Sequence, residues 1–177
     1  MSRVVLLYAH PYPQRSRAGR AMLDAVRELP SVDVRSLYDL YPDFAIDVAA
    51  EQAAVDEASI LVWQCPFYWY GIPSLLHLWF EKVLTAGWAY GPTGGALVGK
   101  RVLWVTTTGT PPSAYRPEGM HAHPFEAFVP PIEQTARFCG MTWEPPIVVE
   151  NAHQLGPEGV AKHAASYRAR IEELARG

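Results

Sequence analysis

Three stretches of this chain gather residue types that could do chemistry, and each follows an apolar run that reads as a strand. The longest is Cys65-Pro66-Phe67-Tyr68-Trp69-Tyr70-Gly71-Ile72-Pro73, four consecutive aromatics between two prolines with a glycine beside them. Such a loop suits a flat aromatic ligand, because Pro66 and Pro73 limit the backbone freedom that binding would otherwise remove. The second stretch, His10 to Ser16, runs straight into a helix that begins Ser16-Arg17-Ala18-Gly19. A helix N-terminus offers free N–H groups and a partial positive charge, which makes an anion site by construction. The third is Thr107-Thr108-Gly109-Thr110, with Tyr115, His121 and His123 in the loop that follows. No GxxxxGK[ST] and no GxGxxG is present, which argues against the usual nucleoside triphosphate and dinucleotide grips. The hydroxyls and backbone donors suit a single phosphate instead. Plainer roles fit the same residues: Ser16 as a helix cap only, Phe67 to Tyr70 as core or a dimer patch, His121 as a solvated loop histidine.

The elements that must position these loops follow from periodicity. Apolar runs over 3–9, 32–37, 59–63, 101–106 and 142–149 read as five strands. Helices are predicted over 16–29, over 47–58 with Asp47 as cap, over 73–84, from about Pro131, and from Pro157 onward. Residues 38–46 and the glycine-rich 85–100 read as loops, the second carrying Trp88 and Tyr90 as a wall or lid. Alternating strands and helices predict a single α/β domain over 1–177. It is a doubly wound parallel sheet with helices on both faces, in the flavodoxin-like order 2-1-3-4-5. In that order FMN is expected at the switch point between strands 1 and 3. The 73–84 helix carries an unusually wide apolar face, including Trp79 and Phe80, which predicts a homodimer.

Composition narrows the class. The chain has 177 residues, 49% apolar and 19% charged, enough for one globular core. A net charge of -3 without a basic block argues against nucleic acid as partner. The two cysteines, Cys65 and Cys139, form no metal-ligand spacing and fit a reduced, intracellular setting. The apolar run at the N-terminus is too short for a signal core, and no stretch is long enough to span a bilayer.

Several motifs together carry a family likeness: Tyr8-Ala9-His10-Pro11 with Ser16, Ser36-Leu37-Tyr38, Tyr41-Pro42-Asp43-Phe44, Ala49-Ala50-Glu51-Gln52, Trp69-Tyr70 with Ile72-Pro73, Gly87-Trp88-Ala89-Tyr90-Gly91, and Thr107-Thr108-Gly109. Across essentially its whole length the chain resembles the flavodoxin-like NAD(P)H:quinone oxidoreductases, the DT-diaphorase group. Within that group it is similar to the ancillary flavoproteins of the bacterial glutathione-gated potassium efflux system. The resemblance implies a cytoplasmic homodimer that binds FMN, with FAD as the lesser candidate, and passes hydride from NAD(P)H to a quinone. It implies that His10, Ser16, Arg17, Ala18 and Gly19 surround the flavin phosphate and ribityl chain. Pro66, Phe67, Tyr68, Trp69 and Tyr70 would lie along the ring, with Thr107, Thr108, Gly109 and Thr110 closing the other side. Tyr115 and His121 would manage charge on the reduced flavin, and Tyr90 would line the substrate space from the partner subunit. It also raises an alternative role, docking at the inner membrane face on a potassium/proton antiporter. Two positions depart from the family pattern: Gly19 stands where asparagine is common, and Thr110 replaces a common second glycine.

Overall fold

The computed structural model describes residues 2–177. Its sheet has five parallel strands in the order β2-β1-β3-β4-β5: β1 (Val4–Tyr8), β2 (Val32–Ser36), β3 (Ile60–Pro66), β4 (Arg101–Thr107) and β5 (Thr142–Val149). Every residue of β1 and β3 is buried, because helices cover both faces of the sheet. The helices α1 (Arg17–Val26) and α6 (Pro157–Arg176) pack on one face. On the other lie the single turn α2 (Leu37–Leu40), then α3 (Val48–Asp56), α4 (Ser74–Val83) and α5 (Pro130–Phe138). Alternate residues of each strand feed separate cores: Val4, Leu6 and Val62 join Tyr167 and Ile171 of α6, while Val5, Leu7 and Trp63 join Trp79 and Phe80 of α4.

The order and the two-faced cover match the expectation from periodicity. Local departures have physical causes. α1 stops at Val26 rather than near Leu29, since Pro30 disfavours helical dihedrals in the residue before it. Residues 37–40 form a helical turn where the end of a strand and the start of a loop were expected, anchored by the fully buried Leu37. β3 runs three residues past Trp63, paired with β4 as Gln64↔Val105, Cys65↔Thr106 and Pro66↔Thr107. Pro66 is tolerated there because it sits at the strand's end. β5 makes an irregularity opposite Trp104, where Pro145 and Pro146 cannot donate to the ladder.

One expectation about packing needs correcting. The wide apolar face of α4 is consumed inside the chain. Trp79 is fully buried and donates its indole N–H to Glu51 Oε2 at 2.8 Å, and Phe80 packs 4.6 Å from Trp63. Trp79 therefore offers no surface for a second copy, and the argument for a dimer from its indole fails. Across the other face runs a polar stitch. The buried Gln64 of β3 donates to the carbonyl of Gly19 in α1 at 2.8 Å and accepts from the Tyr167 hydroxyl of α6 at 3.1 Å.

Candidate functional site

At the carboxyl ends of β1, β3 and β4 the chain leaves a cavity of about 450 Å³. Its walls come from His10 in the loop after β1, Ser16 to Gly19 at the start of α1, Pro66 to Tyr68 after β3, and Thr107 to Gly109 after β4. The three stretches singled out in the sequence thus meet, at the switch point where strand order reverses. The strand-end ladder brings them there: Ala9 N–H bonds to Gln64 O, Phe67 N–H to Thr107 O and Thr108 N–H to Val149 O, each at 2.9 Å.

The cavity's electrostatics select for an anion. No aspartate or glutamate lines it, while Arg15, Arg17 and the first amides of α1 do. Ser16 stands at the N-cap position, yet its side chain makes no capping bond, so its hydroxyl is free for another partner. A Cβ at Gly19 would come within 2.5 Å of Ser16 Oγ, so a side chain there would turn that hydroxyl aside. His10 is buried and accepts the Tyr12 N–H through Nδ1 at 3.0 Å, so its proton sits on Nε2 as a donor. Burial, with His153 nearby, holds His10 down to about 4. The imidazole is therefore neutral at ordinary pH. Beneath Ser16, the Tyr8 hydroxyl is buried without a hydrogen-bond partner.

Further residues line the cavity that sequence reading did not assign: Tyr12 and Arg15, whose guanidinium lies 5.4 Å over the Tyr12 ring, and Ala152 with His153 from the turn after β5. The last pair belongs to a fourth strand end. The rule that ligands gather at carboxyl ends pointed there too, but no motif marks the turn. Backbone bonds tie that turn to the third stretch: Ala152 N–H reaches Thr108 O at 2.9 Å, and Asn151 N–H reaches Thr110 O at 3.0 Å.

Not every expected residue faces the cavity. Trp69 and Tyr70 occupy a two-residue reverse turn with φ of 49° and 63°, closed by reciprocal bonds between Tyr68 and Gly71. They stand outside the cavity wall, Trp69 being 95% exposed and Tyr70 51%. Left-handed dihedrals at two bulky residues store strain of about 1–3 kcal/mol each, a pattern typical of functional loops. Thr110 also lies outside the wall and meets His121 Nε2 at 2.9 Å through its hydroxyl. Tyr115 and His121 do come together, as stacked rings 4.4 Å apart. They adjoin the cavity through Phe67, 6.2 Å from Tyr115, rather than lining it. Tyr90 sits apart, in an apolar groove with Phe80, Leu84 and Phe138. Cys65 is fully buried and its thiol is pushed up to about 12, so it offers no nucleophile. Among the described residues no cluster of histidine, cysteine or carboxylate side chains is arranged to hold a metal ion, and no helix is long and apolar enough to cross a membrane.

Comparison with known proteins places this geometry in a family. The family model for the flavodoxin-like fold matches residues 2–175. The glutathione-regulated potassium-efflux system ancillary protein KefF of Enterobacter sp. (strain 638) is 45% identical over 169 residues, covering 95% of this chain and 94% of KefF. Among solved structures, general stress protein 14 of Treponema denticola, in complex with FMN, superposes with a TM-score of 0.92 at 35% identity, over 97% of this chain and 99% of that one. A protein described as a thermophilic tryptophan halogenase from Streptomycin violaceusniger superposes with a TM-score of 0.90 at 37% identity, over 94% and 97%. The chain belongs, as its motifs imply, to the flavodoxin-like fold family, alongside the ancillary proteins of the glutathione-regulated potassium-efflux system.

Proposed function

We propose that the chain is an FMN-dependent NAD(P)H:quinone oxidoreductase. The observation that carries this reading is the cavity at the β1/β3 switch point, with a helix N-terminus, an uncommitted Ser16 hydroxyl, a His10 Nε2–H and no carboxylate in its walls. This donor set fits one phosphate group, and the T. denticola relative's complex with FMN supports the same choice of ligand. When bound, FMN supplies the two-electron hydride chemistry. The protein's part is to bind and tune it. Ser16, His10 and the amides of Arg17 to Gly19 would hold the phosphate, and Phe67, Tyr68 and Thr107 to Gly109 would hold the ring. The stacked Tyr115 and His121 place a phenol and an imidazole beside the loop after β4, where hydrogen bonding would steady the negative charge that hydride arrival creates. The exposed Trp69 and Tyr70 are where a second copy would complete the site, bringing its Tyr90 to the quinone.

The test is a spectrum of the purified protein, followed by NADH and NADPH oxidation with a small quinone. Yellow protein that releases FMN and turns over is the expected result. Recovery of FAD alone would overturn the single-phosphate argument, and failure to take up any flavin would overturn the enzyme reading. His121→Gln should slow flavin reduction by about a hundredfold in stopped-flow bleaching, with FMN still bound.

The relative at 45% identity favours a second, compatible role: a cytoplasmic ancillary subunit docking on a potassium/proton antiporter at the inner membrane face. Antiporter flux in vesicles should rise when the chain is added. If flux does not respond to the chain at all, this role is excluded.

A further inference from the structure

His121 has one ring nitrogen engaged and one enclosed. Nε2 lies 2.9 Å from Thr110 Oγ1, while Nδ1 is buried with no hydrogen-bond partner. The ring is stacked on Tyr115 and meets Tyr70 edge-on at 5.7 Å, and its backbone N–H donates to Ala114 O at 3.0 Å. In a neutral imidazole one nitrogen carries the proton and the other a lone pair. An enclosed N–H without an acceptor is the rarer and costlier defect, an enclosed lone pair the milder one. The proton therefore belongs on Nε2, where it donates to Thr110 Oγ1, and Nδ1 keeps the lone pair.

Thr110 is itself held in place. Its carbonyl accepts from Asn151 N–H at 3.0 Å and from the Thr108 hydroxyl at 2.9 Å. We propose that Thr110 is a positioning residue for His121: its hydroxyl, anchored through the turn after β5, sets the orientation and tautomer of the imidazole. A glycine at 110 would leave Nε2 without this partner. The inference rests on the proposed function for its catalytic meaning: with its Nε2 proton given to Thr110, His121 would act on charge beside the flavin through the Thr110 hydroxyl, whose own proton it leaves free to donate, and not by direct donation from the ring. The hydrogen bond and the tautomer stand without it.

The experiment compares wild type, Thr110→Val and Thr110→Ser as full-length protein. Nitrogen NMR of the cofactor-free chain under alkaline conditions, where imidazoles are neutral, reads the tautomer directly, with His121→Gln assigning the signal. Wild type should show the proton on Nε2. The valine variant should shift to a mixture of tautomers, and the serine variant should restore the wild-type signal. Stopped-flow reduction of the FMN-loaded protein should be about tenfold slower for valine and close to wild type for serine, the effect of one lost hydrogen bond. A wild-type proton on Nδ1, or a valine variant unchanged in tautomer, would overturn the proposal. An altered tautomer with an unchanged reduction rate would limit Thr110 to a structural role and overturn its link to catalysis. Should the chain bind no flavin, the enzyme reading fails, while the NMR result still decides the positioning.

Discussion

Two buried polar clusters lie on either side of β1, and they are built on opposite principles. Around Glu51 of α3 every group has a partner within the chain. Arg35 donates to Oε1 through Nε at 2.8 Å and Nη2 at 2.6 Å, the Tyr41 hydroxyl donates to the same oxygen, and Trp79 donates to Oε2. Glu51 is fully buried, and its hydrogen bonds hold Arg35 firmly in the charged form. Around Ser16 the groups are left incomplete: a cap residue that does not cap, a buried tyrosine hydroxyl without a partner, a histidine kept neutral. The closed cluster holds the α3–α4 side of the fold to β2. The open one keeps its hydrogen-bonding capacity for something else.

The contrast can be broken from the closed side first, where the effect should be largest. Glu51→Gln leaves Arg35 facing a neutral group in a mostly buried position. It should lower stability by about 3 kcal/mol in denaturant unfolding, while FMN affinity per folded molecule stays the same. Loss of FMN affinity with no loss of stability would reverse the roles of the two clusters. Next comes His10. Its folded value of about 4 lies below the ordinary 6.5, so the unfolded chain binds the extra proton between those values. Stability of the cofactor-free protein should be fully present above 6.5 and fall as pH drops toward 4, by at most about 3 kcal/mol. His10→Asn should flatten that slope in a pH series of thermal melts.

Ser16→Ala sharpens the comparison. Loss of a true cap typically costs about 1 kcal/mol, but here stability should change by less than about 0.5 kcal/mol. FMN affinity should fall about tenfold, measured by flavin fluorescence, and riboflavin, which lacks the phosphate, should bind the variant as it binds wild type. The smallest effect belongs to Trp69→Gly. Relieving a left-handed tryptophan in the turn should stabilise the cofactor-free chain by up to about 1 kcal/mol in urea unfolding. A net loss of stability would mean that Trp69 is packed in solution, against a second copy.

The sheet order and the convergence of loops could be read from residues because buried parallel strands are continuous apolar runs and their carboxyl ends follow directly. Trp79 misled because a wide apolar face looks the same whether it meets its own sheet or another chain. Only the carboxylate of Glu51, twenty-eight residues away, explains its indole. His153 and Ala152 were invisible because their turn has no composition of its own, only a position. Thr110 was legible as a departure from a pattern. Its bond to His121 depends on how the loop between them folds back, which no local spacing encodes.

The stitch at Gln64 has a consequence for synthesis. The first turn of α1 is fastened through the Gly19 carbonyl to β3, and β3 is fastened through the same amide to Tyr167 in the last helix. The first turn of α1 thus depends on a helix that begins only at Pro157. A nascent polypeptide lacking α6 should expose the apolar side of α1 and hold no cofactor. Arrested chains that end before Pro157, assayed for bound flavin against chains that include α6, would show whether the start of α1 takes its shape only once that helix has been made.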